Sequence, residues 1–127
     1  MTSPRAIRLT VPAERRSVRL ARILAAGVAV DAGLSIDDTE DLRIAVSELM
    51  ALLVDGLDEP GLAVDVEFSP APGEVVIEGV RHAVAGRPDV AVDDLALGIL
   101  RVVVDDHSFA SDEFGRRFRL VKRTRTS

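Results

Sequence analysis

The sequence predicts a two-layer α/β sandwich: one mainly antiparallel sheet with helices on one face. Three observations lead there. Several short stretches alternate apolar and polar residues with the period of two that a half-buried strand requires. Two long stretches instead repeat apolar residues with the 3.6 period of a helix. Finally, the strands arrive as sequential hairpins, which pair antiparallel, so the helices are left to cover a common face.

Ala6 to Val11 opens the chain as a strand, with Ile7, Leu9 and Val11 alternating against Arg8 and Thr10. Pro12 stops it and suits the first turn of a helix. From Ala13 to about Val30, Leu20, Ile23, Leu24, Gly27 and Asp31 fall on one side of a helix, read as its apolar stripe, and Arg15, Arg19 and Arg22 on another. That helix is expected to end near Ala32-Gly33, where glycine takes a left-handed cap. Ser35 then reads as an N-cap, with Asp37, Asp38 and Glu40 in the first turn, where the helix dipole favours them. The second helix runs from about Asp37 to Asp55 with a stripe of Leu42, Ala45, Val46, Leu49 and Leu53, widened by Met50 and Leu52.

Leu62 to Phe68 and Glu74 to Val80 alternate around a turn at Pro70 to Gly73 and form a hairpin. His82 to Ala91 reads as a loop. Asp93 to Val104 is ambiguous: the run Ile99 to Val104 is β-branched and suits a buried strand, while Asp93 and Asp94 suit a helix start. His107 to Ala110 and Arg116 to Val121 make the last hairpin around Ser111 to Gly115. The order is β-α-α-β-β-(α)-β-β, without internal repeats or linkers, in a single domain over residues 1–127.

A chain of 127 residues, 47% hydrophobic and 29% charged, can bury one core and is too apolar to be disordered. No apolar run reaches the length of a membrane span, Met1 to Arg8 has no signal-peptide core, and cysteine is absent, which excludes disulfides and thiolate metal sites. A cytoplasmic protein is expected. All but one of the 16 basic residues are arginine, a bias that suggests a GC-rich, for example actinobacterial, genome. Net charge is −5, with basic ends and an acidic middle. Such asymmetry marks either an interaction surface or a solubilising tail. Nucleic acid is not the expected partner, because the total is acidic and aromatic interleaving is sparse.

Familiar catalytic sets are missing. There is no phosphate-binding G-x-x-x-x-G-K-[ST] loop, no G-x-G-x-x-G and no nucleophile elbow. Asp105-Asp106-His107 offers metal-ligand types, but adjacent residues seldom converge on one ion, and a polar turn is the alternative. Glu48 lies about 110° from the centre of the second helix's apolar stripe. A carboxylate at such an edge can be half-buried and serve as a general base. Alternatively Asp41, Glu48 and Asp55, at seven-residue spacing, are the solvated side of an amphipathic helix.

Asp41-Leu42-Arg43-Ile44-Ala45-Val46-Ser47-Glu48, preceded by Gly33-Leu34-Ser35 and an Arg-bearing helix, resembles the N-box region of bacterial anti-sigma-factor serine kinases, which belong to the histidine-kinase-like ATPase superfamily with the Bergerat fold. The family pattern is D-x-x-x-A-V-x-E-x-x-x-N. The opening strand, Leu97-Gly98-Ile99-Leu100, Asp105 and Phe118-Arg119-Leu120 extend the resemblance over nearly the whole chain. The resemblance implies that Leu95 to Val104 is a helix. It implies proteins that bind a sigma factor, phosphorylate an anti-anti-sigma (STAS-type) partner with Mg-ATP, and commonly form homodimers.

The departures from that pattern fall on the nucleotide site. Glu48 matches the N-box glutamate, the family's general base. The magnesium-binding Asn position is Leu52, which has no lone pair for a hard cation. A histidine position is Gly56. The D-x-G-x-G box, whose Asp holds the adenine amino group, is replaced by Arg81-His82-Ala83-Val84-Ala85. In the last box Gly98 survives and Ala96 stands for the first glycine. The expectation is a vestigial site at Glu48 and Gly98, with Leu52, Arg81, His82 and Ala96 at lost positions. ATP binding would be weak or absent, no resident cofactor or metal is expected, and the chain would be a non-catalytic anti-sigma-type protein. Arg15, Arg19 and Arg22 are the candidate partner surface, the alternative being a solvated helix face. An active serine/threonine kinase with a divergent pocket, and a repurposed regulatory module of the same fold, are the other two readings.

Overall fold

A computed structural model of the chain describes residues 5–54, 61–82 and 97–124. Along it run β1 (Ile7–Pro12), α1 (Arg15–Asp31), α2 (Ile36–Val54), β2 (Ala63–Ala71), β3 (Glu74–His82), α3 (Leu100–Val103), β4 (Asp106–Asp112) and β5 (Gly115–Arg123). The sheet order is β1-β2-β3-β5-β4, and all four neighbouring pairs are antiparallel. Hairpins join two of the four pairs, β2–β3 and β4–β5; a third, β1–β2, is joined through α1 and α2. For the fourth, the chain leaves β3, passes α3 and β4, and returns as β5 beside β3.

Alternation decides which side chains enter the core. Val11, Val64, Val66, Phe68, Val75, Ile77, Phe118 and Leu120 are buried on one face of the sheet. The other face carries charge: Arg8 reaches Glu67 at 3.3 Å, Thr10 donates to Asp65 at 2.6 Å, and Arg123 reaches Glu74 at 3.1 Å. Such exposed pairs contribute roughly 0–1 kcal/mol each, so the fold is held by the inner face. Gly79 sits on that inner face. A Cβ there would lie 2.4 Å from Cε2 of Phe118, so the ring uses the space the missing methyl leaves.

The two long helices cover the inner face. Leu42, Ala45, Val46, Leu49, Met50 and Leu53 of α2 are fully buried, the stripe that its periodicity predicts. The helix starts at Ser35, whose hydroxyl accepts the Asp38 N–H at 3.1 Å. The join from α1 also follows the sequence. Gly33 has φ +85°, and the N–H groups of Leu34 and Gly33 donate to Ala29 and Val30, which satisfies the last carbonyls of α1.

The apolar face predicted for α1 is not the face it buries. Ser17, Ala21, Ala25, Val28 and Ala29 are buried. Of the predicted side, Leu20 is 50% exposed, Ile23 58%, and Gly27 and Asp31 are exposed too, while Leu24 is half-buried against the core. The reason is steric. Ser17, Ala21, Ala25 and Ala29 form one i, i+4 ridge of small residues on a helix that packs against α2. Small side chains allow the helix axes to approach closely; Leu and Ile on that ridge would hold them apart.

Two further expectations are adjusted. His82 ends β3 rather than beginning a loop. The ambiguous segment is helical where it is described, at residues 97–98 and in α3, with Leu100 and Val103 buried and Val102 78% exposed. One face of a helical turn takes the apolar contacts, which the β-branched composition concealed. Asp93, Asp94 and Leu95 lie outside the described residues.

Candidate functional site

The sequence-predicted nucleotide residues divide between α2, β3 and the segment before α3. Glu48 is half-buried at the edge of the α2 stripe, and Leu52 is half-buried one turn further on. Arg81, near the end of β3, is 1% exposed, and His82 next to it is exposed. Gly98 is exposed, with open space around it. Ala96, Ala83 to Ala85, Asp55 and Gly56 lie outside the described residues.

A residue that the motif comparison passed over joins two of these positions. Arg116, 6% exposed, begins β5 directly opposite Arg81 in the β3–β5 register. Its Nη1 donates to the Leu52 carbonyl at 2.6 Å. That carbonyl belongs to the last turn of α2, the negative end of the helix dipole, where a cation is favoured. Arg81 and Arg116 therefore share the inner face of the sheet on adjacent strands, and Arg116 reaches the C-terminal end of α2. Both are held by further interactions. Alternation along β5 could have found Arg116, because it shares parity with the buried Phe118 and Leu120.

The same parity places Lys122 inside. It is 3% exposed. Its Nζ donates to the Val103 carbonyl at 2.9 Å and faces Asp41 at 3.3 Å and Asp38 at 3.6 Å. Asp41 is thus part of a buried ionic cluster and not of a solvated helix side. The two cations of β5 hold the two ends of α2. Six strand residues from Arg116 to Lys122 span about 20 Å; fourteen helical residues from Asp38 to Leu52 span about 21 Å. The helix lies antiparallel to β5, tied at its first turn by Lys122 and at its last by Arg116.

The α1 stripe is split. Arg15 and Arg19 are exposed, whereas Arg22 is half-buried with its Nε buried and without a hydrogen bond. The exposed cations of that helix are Arg15, Arg16 and Arg19, with Arg16 paired to Glu14 at 2.8 Å. No group of three or more His, Asp or Glu is placed to hold a metal ion among the described residues. Asp105 is occupied locally: its carboxylate accepts the Arg123 N–H at 2.7 Å. Asp106 and His107 then alternate across β4. At the β4–β5 turn the Asp112 carboxyl is held below its ordinary value by hydrogen bonds from the Arg117 side chain and the Phe114 N–H.

No family model matches the chain. Among solved structures it is similar to the crystal structure of the RsbU and RsbW domains of Rv1364c from Mycobacterium tuberculosis. The TM-score is 0.69 and the identity 17%, over 93% of this chain and 32% of that one. That likeness shows the fold, a two-layer α/β sandwich with an antiparallel sheet. Among curated proteins it is similar to serine-protein kinase RsbW from Halalkalibacterium halodurans, with 35% identity over 65 residues. These make up 51% of this chain and 40% of the relative, so the match spans less than half of that protein's length. Both likenesses are to RsbW proteins or domains. No helix among the described residues is long and apolar enough to cross a membrane.

Proposed function

We propose that the chain is a regulatory protein of a bacterial partner-switching system, one that binds a sigma factor or an anti-anti-sigma (STAS-type) protein and binds Mg-ATP weakly or not at all. The likeness to serine-protein kinase RsbW carries the reading. Residue chemistry supports its non-catalytic form. At the positions where the family resemblance puts a metal ligand and an adenine-holding carboxylate stand Leu52 and Arg81. Phosphoryl transfer depends on metal and positioning groups more than on a base, so Glu48 alone does not supply it. The exposed guanidiniums of Arg15 and Arg19 are the candidate partner contacts, and charge complementarity there would speed and orient docking to an acidic surface. Homodimer formation and a cytoplasmic setting belong to the same proposal.

Affinity purification from the native host with mass spectrometry tests it. Recovery of a sigma factor or a STAS-type protein is the expected result, reduced when Arg15 and Arg19 are both changed to Glu. Recovery of neither would end the regulatory reading. The second reading, an active protein serine kinase, is favoured by the relative's activity and by Glu48, which among the described residues makes no hydrogen bond or ion pair. Incubation with labelled ATP and the recovered partner separates the two: phosphate transferred to the partner would replace the first reading with the second.

A further inference from the structure

Helix α1 leaves one apolar seam uncovered. Arg16, Leu20, Ile23, Gly27 and Val30 follow one another at steps of four, three, four and three residues. That is the 3.5-residue repeat with which two helices pack along their length. Leu20 and Ile23 are exposed, and Val30 is 69% exposed. The seam lies about 160° round the helix from the Ser17, Ala21, Ala25 and Ala29 ridge. Contiguous exposed apolar side chains of this kind mark an interface. Beside them is a groove of about 360 Å³, whose lining includes Ile7, Leu24, Gly27 and Asp31. Gly27 has no use inside its own chain: a Cβ there would meet nothing within 4 Å, and a glycine inside a helix is destabilising. The charges of α1 also run against its dipole. Arg15 and Arg16 open the first turn, which has no acid, and Asp31 closes the last, which has no base. Asp31 is exposed, and among the described residues it makes no hydrogen bond or ion pair.

We infer that this seam is where two copies of the chain meet, α1 against α1 and antiparallel. The pairing rests on the homodimer proposed above and gives it a face and a register. With the two-fold axis between Ile23 and Leu24, the second copy's Gly27 stands opposite Leu20 and its Asp31 opposite Arg16. Leu20 then fills the gap that Gly27 leaves beside the groove, and Ile23 packs against its own counterpart. Arg16 and Asp31 are about 22 Å apart along one helix, so they meet only between copies, and the two-fold axis makes that bridge twice. A guanidinium has donors for both Glu14 and Asp31. The same charges disfavour a parallel pairing, which would set two basic ends together and two acidic ends together. An antiparallel neighbour instead brings a carboxylate and the negative end of a helix dipole to the arginines of the first turn. Arg15 lies well off the seam and stays open to another protein, while Arg19 flanks it. A seam of about three turns buries little surface, so the dimer is weak, with a Kd on the order of 10–100 µM.

Sedimentation velocity of the full chain tests the pairing, with refractive-index detection because Trp and Tyr are absent. A monomer–dimer equilibrium is expected over concentrations from about tenfold below to about tenfold above that Kd. Leu20→Gln and Ile23→Gln should each weaken it by at least about tenfold, since the two-fold axis counts every change twice. Far below the Kd the chain is monomeric, and both variants should keep the wild-type circular dichroism spectrum there, which separates a lost dimer from a lost fold. Arg16→Asp and Asp31→Arg should each weaken dimerisation by about tenfold, and the double variant should restore it. Both changes suit the dipole of α1, so neither threatens the helix. Cysteine is absent, so Ile23→Cys should oxidise to a covalent dimer across the two-fold axis and Val30→Cys should not; a parallel pairing would link both. A monomer at every concentration, a dimer indifferent to Leu20→Gln and Ile23→Gln, or no recovery in the charge-reversed double variant would overturn the pairing. So would a seam whose substitutions release a captured sigma factor or STAS-type protein from a chain that stays monomeric. Failure to recover any such protein would sink the regulatory reading and leave the pairing standing.

Discussion

Replacing Lys122 with Met should destabilise the domain by about 3–5 kcal/mol, the cost of breaking a buried ion pair by removing one partner. The side chains of Lys122 and Asp38 are 4% and 2% exposed and that of Asp41 is 27% exposed. With an effective dielectric of about 20, charges 3.3 Å and 3.6 Å apart attract by roughly 5 kcal/mol each. Desolvation of the ions offsets most of that gain, at several kcal/mol per ion. The methionine keeps the apolar stem and about the same volume, so packing changes little. What disappears is the ammonium facing two carboxylates, together with the 2.9 Å bond to the Val103 carbonyl that ties α3 to β5. Urea titration followed by circular dichroism reads the loss as a fall in midpoint of about 2 M at an m-value near 2 kcal/mol/M. The double variant Lys122→Met with Asp38→Asn should lose less than the sum of the two single losses, by about 1–3 kcal/mol, because the second change removes the buried charge the first exposes. A Lys122→Met cost below about 1 kcal/mol, or strict additivity, would refute a buried ionic tie at this end of α2.

Gly79→Ala should cost about 1–3 kcal/mol in the same titration, because the ring of Phe118 must leave its place in the core; a neutral change would mean the ring is not held there. On α1, Ala25→Leu should destabilise by about 1–3 kcal/mol through overpacking, while Ile23→Gln should change stability by less than about 0.5 kcal/mol. The reverse order would restore the stripe read from hydropathy. Asp112 should titrate below 3.8 in a carboxyl NMR titration, and Arg117→Ala should raise its midpoint toward that value. The sign follows from a folded pKa below the unfolded one. The contribution is complete above the unfolded value and is lost as pH falls through the folded one, so acid weakens this turn and alkali does not. An unmoved midpoint would show that the pair is not formed in solution.

The element order was legible because most elements carry large apolar residues at their own period. The α2 stripe contains Leu42, Leu49 and Leu53, and β2 contains Val64, Val66 and Phe68, all buried as the patterns require. Helix α1 defeated the same procedure. Hydropathy weights Leu20 and Ile23 above Ala21 and Ala25, yet contact between two helices is decided by how closely the backbones can approach. The four-residue spacing of Ser17, Ala21, Ala25 and Ala29 was the available signal. Hydropathy also hid Arg116 and Lys122, which it assigns to solvent. Parity assigns them to the core with Phe118 and Leu120, and parity was right, because each has a carbonyl or carboxylates waiting inside.

The candidate site was legible only as a set of substitutions, and the structure gives those substitutions a shared physical consequence. Taken singly, Leu52 in a metal-ligand position and Arg81 in a carboxylate position read as two unrelated losses. Arg116 connects them. It lies across from Arg81 and bonds to the main chain of Leu52, so the two positions are joined through one side chain. A backbone carbonyl carries no sequence signature, which is why the motif comparison could not reveal this contact. Its effect reaches the whole helix. With Arg116 at one end and Lys122 at the other, α2 is tied to β5 at both ends, and α1, with Arg15 and Arg19 exposed, packs against it.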